Sequence, residues 1–322
     1  MYVLGIDGGG TKTTGVVTDR NGNVYMQAVT GRSNSNTLSQ EEFQNVMSGL
    51  LLRLKKQHTK IYDQISVCFA GLAGVGESGR DVEVVNLLRN YLPRDTKILV
   101  RNDAFNALYS GTLGEPGVVQ IAGTGTITFG FNEEQKMVRS GGWGYLFDDE
   151  GSGFYLGNEA LRAVFKEFDN RGPTTSLTTS FLNYFQVQAV PDIIGKVYGE
   201  EHPRSVIAPL ARLVVEASVA NDEVAKNIIL NACKEMMLSV ISCHNQLFEA
   251  EHPTTIVLSG GVFTNSELFI RHFKELSYKT LPNVIFQQTK VPPVGGAIIA
   301  GLKLLGVAID EHFVAKFNEQ IQ

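Results

Sequence analysis

The sequence predicts a duplicated α/β fold, with two lobes of one design and a cleft between them. The segments GIDGGGTKT (Gly5–Thr13) and IAGTGTITFG (Ile121–Gly130) each read as an apolar strand, a turn rich in Gly and Thr, and a second strand. Strands and helices alternate after both segments, as they do in α/β domains. Because a related start opens each half of the chain, we expect two copies of one structural unit.

The first half is predicted to start with a hairpin and to continue with alternating helices and strands. Tyr2–Ile6 and Thr11–Thr18 flank the glycine turn, and Asn21-Gly22 is a strong turn signal before a third strand at Val24–Val29. The remaining elements of this half are a helix from Gln40 to about Gln57 capped by Ser39, a strand at Ile65–Ala70, a helix at Val82–Tyr91, a strand at Ile98–Val100 and a helix from Ala104 to about Ser110.

The second half begins in the same way and then becomes mostly helical. Its predicted elements are strands at Val118–Ala122 and Ile127–Phe131, helices between Gly153 and about Glu249 with starts at Thr175, Ser205 and Asn221, a strand at Thr255–Leu258, a helix to about Leu276, a strand at Val284–Phe286 and a Gly/Ala-rich helix at Val294–Leu304. We place the first lobe at residues 1–113, completed by a C-terminal helix at 295–322, and the second lobe at residues 114–294.

Composition excludes several classes of protein. The chain has 322 residues, 28 basic and 33 acidic side chains and a net charge of −5, so it offers no excess of cations for nucleic acid or for an anionic membrane. The apolar stretches are too short or too interrupted to span a bilayer. Three cysteines are too few for a disulfide framework. We therefore expect a soluble, cytoplasmic protein.

The first motif is Asp7-Gly8-Gly9-Gly10-Thr11-Lys12-Thr13. Glycines let backbone N–H groups approach an anion closely, Lys12 adds charge, and Asp7 can hold Mg²⁺ through waters. The alternative is a tight hairpin with a charged residue at its base. The motif is neither a P-loop, which needs Lys directly after its last glycine, nor a dinucleotide fingerprint.

Two further glycine turns strengthen the nucleotide interpretation. Gly123-Thr124-Gly125-Thr126 stands at the corresponding place in the second half, and together the two turns suit a polyphosphate held from both sides. Ser259-Gly260-Gly261-Val262 follows a strand and precedes a helix, which fits contact with an adenosine. The alternative for Gly123–Thr126 is a simple hairpin turn, and the alternative for Ser259–Val262 is a simple strand-to-helix turn.

Asp103 is the candidate general base. Asn102-Asp103-Ala104 follows a strand and opens a helix, where a carboxylate at the mouth of the cleft can accept a hydroxyl proton. The alternative is an aspartate that only caps the helix.

A dense motif around the single Trp predicts a sugar site. Trp143 lies between glycines in Gly141-Gly142-Trp143-Gly144, and the acids Asp148, Asp149 and Glu150 follow closely. Trp143 would form an apolar wall and a carboxylate would bind hydroxyls. The alternative is an acidic start for the next helix. Ser33-Asn34-Ser35-Asn36 is either a second polar contact for a hydroxylated ligand or a turn.

The order of these motifs resembles the sugar-kinase, heat-shock-protein and actin superfamily, whose lobes have the ribonuclease H-like, actin-like ATPase fold. Within it, the chain is similar to the N-acetylglucosamine kinase branch of the family named for benzoyl-CoA-reductase-type ATPases. The resemblance spans nearly the whole chain, down to Pro292-Pro293-Val294-Gly295-Gly296-Ala297.

The resemblance implies a role for each matching residue. Asp7 would take the metal and phosphate position and Asp103 the catalytic base. The nucleotide-binding residues would be Gly9, Gly10, Thr11 and Lys12 in the first loop, Gly123, Thr124 and Gly125 in the second, and Gly260, Gly261 and, more loosely, Ala217 around the adenosine. The amino-sugar contacts would be Asn34 or Asn36, Asn102, Asp103, Thr124, Trp143, Gly144 and Asp149.

The implied activity is ATP- and Mg²⁺-dependent phosphorylation of an N-acetylated amino sugar, first N-acetylglucosamine to its 6-phosphate, by a homodimer. Three alternatives stay open: a kinase that also takes N-acetylmuramate, an ATPase that energises a partner protein, and a non-catalytic sensor. Cys68, Cys233 and Cys243 lack the spacing of the cluster-binding dehydratase activators in this family, which disfavours that branch.

Overall fold

Two five-stranded sheets of the same design organise the part of the chain that the structure describes. The structure is a computed structural model, and it describes residues 1–34, 37–75 and 79–321. The strands are β1 (Tyr2–Gly8), β2 (Thr13–Asp19), β3 (Val24–Thr30), β4 (Ile65–Leu72), β5 (Lys97–Arg101), β6 (Gly117–Ala122), β7 (Thr126–Phe131), β8 (Met137–Ser140), β9 (Thr254–Ser259) and β10 (Val284–Gln288).

The helices lie between and after these strands. They are α1 (Gln40–Gln57), α2 (Thr59–Tyr62), α3 (Asp81–Arg89), α4 (Ala104–Thr112), α5 (Gly153–Phe168), α6 (Leu177–Phe185), α7 (Asp192–Tyr198), α8 (Pro203–Ile207), α9 (Ala211–Val219), α10 (Glu223–Leu247), α11 (Ser266–Ser277), α12 (Pro293–Lys303) and α13 (Glu311–Gln320), with 3₁₀ turns at Ala208–Leu210 and Gly261–Asn265.

The chain divides into two compact units, residues 1–115 with 289–322, and residues 116–288. In the first unit the strand order is β3-β2-β1-β4-β5. β1 pairs antiparallel with β2 and parallel with β4, and β4 pairs parallel with β5. One face of this sheet packs on α1, whose apolar stripe includes Met47, Leu50 and Leu54, and the other face packs on α12.

The second unit repeats that topology. Its strand order is β10-β9-β6-β7-β8, with β6 and β7 as the antiparallel hairpin and β9 parallel to β6. Each strand of the first sheet therefore has a counterpart, and β8 takes the place of β3. The core of this unit lies largely between the sheet and the long helix α10, which buries Cys233 and Cys243 as free thiols.

Several local predictions are confirmed and others are wrong. Helix α1 begins where Ser39 predicts, because Ser39 and Glu42 form a reciprocal capping box. Strand β8 is not predicted from the sequence, because the strand has only four residues and their burial does not alternate clearly. The segment after residue 293 is two helices, α12 and α13, instead of one. Asp310 starts the second by accepting from the Phe313 N–H.

Thr175 lies at the start of α6, where its hydroxyl accepts from the Leu177 N–H at 3.2 Å, but the predicted helix starts at Ser205 and Asn221 are wrong. Helix α6 begins after Ser176, and α8 begins at a proline after His202. Helix α10 is capped by Asp222, which accepts from the Ala225 N–H. A Thr, Ser or Asn can cap a helix, but the neighbouring residues decide which one does. Within the described residues, the helices are all too short or too polar to cross a membrane.

Candidate active site

Asp7 lies near the carboxyl end of β1, where Asn106 of α4 fixes its side chain. The fully buried Asn106 donates from Nδ2 to Asp7 Oδ1 at 2.8 Å, and to the carbonyl oxygens of Ile6 and Gly71 at 3.2 Å each. Burial raises the pKa of Asp7, and the bond from Asn106 and the charge of Lys12 oppose that rise. The carboxylate is thus held in one orientation at the strand end.

Asn106 has room only because two neighbours are glycines. A Cβ on Gly71 would overlap the Asn106 side chain, and a Cβ on Gly296 would overlap its backbone oxygen. Asn106 belongs to none of the sequence motifs described above. The signal that could have found it is a polar residue in an otherwise apolar helix, since Phe105, Ala107 and Leu108 are all buried beside it.

The first glycine turn is closed by backbone hydrogen bonds. Gly9 N–H donates to the Lys12 carbonyl at 3.0 Å, and Gly9 O accepts from Ser33 N–H at 3.0 Å. A Cβ built on Gly10 would meet no described protein atom within 4 Å, so a bound group can approach this backbone closely. Thr13 is committed to the fold, because its buried hydroxyl donates to the Gly31 carbonyl at 2.7 Å.

Asp103 stands at the start of α4 without capping it. The neighbouring Asn102 accepts the first N–H of the helix instead, because its Oδ1 accepts from Ala104 N–H at 2.9 Å. The Asp103 side chain makes no capping bond. Burial and the negative charge of Asp7 raise the pKa of Asp103 to about 7, and the backbone N–H groups of Asp103 and Ala104 oppose that rise. A carboxyl that titrates near neutral pH is suited to accept a proton.

The loop after β3 is described only in part. Asn34 is half-buried, and its carbonyl accepts from the N–H and the hydroxyl of Thr37 at 3.0 and 3.1 Å. Asn36, the alternative sugar contact, lies outside the described residues.

In the second unit, the start of α5 holds the second glycine turn. Gly153 N–H donates to the Gly123 carbonyl at 2.7 Å, and Gly123 N–H donates to the Gly125 carbonyl at 2.9 Å. A Cβ on Gly153 would lie 3.0 Å from that Gly123 oxygen, so the contact favours glycine. Thr124 is exposed, which leaves its hydroxyl accessible to a ligand.

Asp149 is almost fully buried, with 4% of its surface exposed, and both its oxygens are engaged. Oδ1 accepts from Thr126 N–H at 3.0 Å, and Oδ2 accepts from Arg204 Nη2 at 3.1 Å. Burial raises the pKa of Asp149, and these two partners oppose the rise. Arg204 was not selected from the sequence, where no local pattern links it to a residue 55 positions earlier.

Trp143 presents an open ring, with 65% of its surface exposed. Its backbone N–H donates to Asp148 Oδ2 at 2.7 Å, and the Arg139 guanidinium lies 3.7 Å from the ring centroid. The flanking Gly142 and Gly144 have φ of 79° and 110°, which other residues adopt at a cost. The backbone of Trp143 is therefore fixed by Asp148, and one face of its ring lies against the Arg139 guanidinium.

The predicted adenosine loop leads into the 3₁₀ turn Gly261–Asn265, whose last residue lines a cavity of the second unit. Gly260 has φ of 108°, and a Cβ there would overlap the Ala122 carbonyl. A cavity of about 590 Å³ is lined by Ser218, which follows Ala217 on α9, and by Asn221 and Asn265. The Ser218 hydroxyl is buried and has no hydrogen-bond partner among the described residues. This cavity is large enough for part of a nucleoside.

The residues present fit a magnesium ion bound chiefly through its nucleotide. Among the described residues, His, Cys, Asp and Glu form no group of three that could hold a metal ion. Mg²⁺ commonly keeps several waters and binds one or two carboxylates together with substrate phosphates. Asp7, beside the open glycine turn, is a carboxylate of that kind.

Comparison with known proteins identifies the family. The sequence profile of the BadF/BadG/BcrA/BcrD ATPase family matches residues 4–300. This chain belongs to that family. It is 32% identical over 298 residues to the N-acetylmuramic acid/N-acetylglucosamine kinase of Clostridium acetobutylicum, covering 92% of this chain and 97% of that protein. It is 31% identical over 309 residues to the N-acetyl-D-glucosamine kinase of Dictyostelium discoideum, with the same coverage of 92% and 97%.

A solved structure supports the same fold. A Porphyromonas gingivalis protein assigned as an N-acetylglucosamine kinase superposes with a TM-score of 0.73 at 18% identity, covering 95% of this chain and all 100% of that one. The predicted resemblance to this ATPase family and the predicted fold class, two α/β lobes of the actin-like ATPase type, are both confirmed.

Proposed function

We propose that the protein is an ATP-dependent kinase of N-acetylated amino sugars, with N-acetylglucosamine phosphorylated at its 6-hydroxyl as the first substrate. The observation that carries the proposal is Asp103, a carboxyl at a helix start that is not used as a cap and has a pKa of about 7. The kinase names of two relatives that each align with 92% of the chain support the substrate class.

The first unit would supply the base and the first phosphate contacts. Asp103 accepts the proton of the sugar hydroxyl as its oxygen attacks the γ-phosphorus of ATP, and the terminal phosphoryl group is transferred while ADP leaves. The backbone of Gly9, Gly10 and Thr11, with the charge of Lys12, stabilises the transferring phosphates. Mg²⁺ held by Asp7 through water would neutralise charge on the β- and γ-phosphates.

The second unit would supply the sugar and adenosine contacts. Trp143 provides an apolar face for the sugar ring, with Gly144 and Asp149 beside it. Gly123, Thr124 and Gly125 form the second phosphate turn. Gly260 and Gly261, with Ala217 more loosely, would contact the adenosine, which would extend toward the cavity lined by Ser218, Asn221 and Asn265.

Assembly, location and a second substrate complete the proposal. We propose a cytoplasmic homodimer, in keeping with the resemblance and with three buried free thiols. N-acetylmuramate is the second candidate substrate, because the relative from Clostridium acetobutylicum is named for both sugars.

An Asp103→Asn variant tests the proposed base. We expect it to lose more than 99% of turnover and to keep its affinity for N-acetylglucosamine within about threefold, because asparagine preserves shape and cannot accept the proton. Turnover is measured by coupled ADP release and sugar affinity by calorimetry. A variant that keeps more than a tenth of kcat, a loss under about 1.4 kcal/mol, contradicts the role of Asp103.

A further inference from the structure

An ion pair lies against the second glycine turn, and it joins Asp149, in the loop before α5, to Arg204 of helix α8. Arg204 Nη2 donates to Asp149 Oδ2 at 3.1 Å, and the other carboxylate oxygen accepts from Thr126 N–H at 3.0 Å. A Cβ built on Gly125 would lie 2.6 Å from Arg204 Nη2 and 2.9 Å from Asp149 Oδ2. The pair therefore touches the turn at the position where glycine leaves room for it.

Asp149 still has capacity for a ligand in this arrangement. An ionised carboxylate has about four acceptor positions, and the described contacts use one on each oxygen. The carboxylate therefore keeps acceptor positions that neither partner uses, and a sugar hydroxyl could reach them only through the 4% of the Asp149 surface that stays exposed. For that, the carboxylate must be ionised and its plane must be fixed, although its own burial raises its pKa.

The surroundings of Arg204 restrict the orientation of its guanidinium, in addition to placing its positive charge beside the Asp149 carboxylate. Its guanidinium lies 5.1 Å from the ring centroid of Tyr145, and its Nε is buried with no hydrogen-bond partner among the described residues. Leaving a buried donor unpaired is unfavourable. A planar guanidinium in contact with an aromatic ring and a carboxylate is a geometry that lysine cannot reproduce.

We propose that Arg204 is a positioning residue for the sugar site, which orients the Asp149 carboxylate against the Gly123–Thr126 turn and keeps it available to a sugar hydroxyl. The inference rests on the proposed function. It adds that sugar affinity depends on a residue of α8 that need not touch the sugar. The effect of Arg204 on the sugar must then pass through Asp149.

A double-mutant cycle tests this. We expect Arg204→Met and Asp149→Asn each to weaken N-acetylglucosamine binding about tenfold or more by calorimetry, and the double variant to bind no more weakly than Asp149→Asn alone. The KM for ATP should change less than the KM for the sugar. Arg212→Met is the matched control, because Arg212 is an exposed arginine of the same unit in a 2.6 Å surface pair with Glu216.

The outcomes distinguish a failure of the positioning role from a failure of the proposed function. Additive losses in the double variant, or a sugar affinity that Arg204→Met leaves unchanged, overturn the positioning role. Selective loss of N-acetylmuramate with N-acetylglucosamine retained overturns it as well, since Arg204 would then contact the substrate directly. If Arg204→Met fails to fold, Arg204→Lys keeps the charge without the planar guanidinium, and it should weaken sugar binding while the KM for ATP changes less. Wild-type protein that binds no amino sugar contradicts the proposed function itself.

Discussion

Replacing Asp103 with asparagine is expected to abolish turnover and, above neutral pH, to stabilise the free protein. The carboxyl is buried beside the like charge of Asp7, and these two effects raise its pKa from the ordinary 3.8 to about 7. An asparagine of the same shape carries no charge, so it avoids that unfavourable interaction. The ionised Asp103 carboxylate thus lowers the stability of the fold above its pKa.

The size of the effect follows from the pKa shift. Between pH 3.8 and about 7 the unfolded chain ionises Asp103 while the folded protein keeps the proton, so stability falls as the pH rises. The loss is about 1.4 kcal/mol per pH unit, and it stops above the folded pKa. Between pH 5 and pH 8 the Asp103→Asn variant should therefore gain about 3 kcal/mol of stability relative to wild type.

Denaturant unfolding at the two pH values measures this difference directly. Wild type, Asp103→Asn and a surface control, Asp95→Asn, are unfolded in guanidinium chloride at pH 5 and pH 8, without nucleotide and with EDTA. Asp95 is exposed in the same unit, and its replacement should change stability by less than about 0.5 kcal/mol. An Asp103→Asn variant whose advantage is the same at both pH values would refute the buried-charge account.

Three other outcomes are expected. Asn106→Ala should lower the free energy of unfolding by about 1–3 kcal/mol, because two buried carbonyls and Asp7 lose their hydrogen-bond donor. The same variant should bind Mg·ADP more weakly. Calorimetric titrations and melting curves that match the wild type count against the role of Asn106. Trp143→Ala should weaken N-acetylglucosamine binding about tenfold and leave ATP binding alone, so equal losses in both titrations would show that Trp143 is no sugar contact. For the wild type, kcat/KM should rise about tenfold per pH unit below pH about 7 and level off above it, because Asp103 must be ionised; a flat profile from pH 5.5 to 8 contradicts that assignment.

The sequence predicts most of the architecture because its strongest signals are local. The hairpins at β1–β2 and β6–β7 follow from apolar runs around glycine turns, and the capping box at Ser39 fixes the start of α1. These features depend on residues a few positions apart. The duplication of the lobe can be predicted for the same reason, because each copy starts with a strand, a glycine turn and a strand within about ten residues.

The parts that the sequence does not reveal depend on distant contacts. Asn102 and Asp103 have the same capping chemistry, and only the folded backbone shows that Asn102 accepts the Ala104 N–H while Asp103 makes no side-chain capping bond. The Arg204–Asp149 pair joins residues 55 positions apart, which no periodicity encodes. Strand β8 forms because β7 offers it an edge, although its own pattern is weak.

The most direct test of the central claim is ADP release in the presence of Mg²⁺ and ATP across a small panel: no sugar, glucose, N-acetylglucosamine, N-acetylmannosamine and N-acetylmuramate. The proposed function predicts release that appears with N-acetylated sugars, is fastest with N-acetylglucosamine and is abolished by Asp103→Asn. Slow release that is indifferent to every sugar would contradict it.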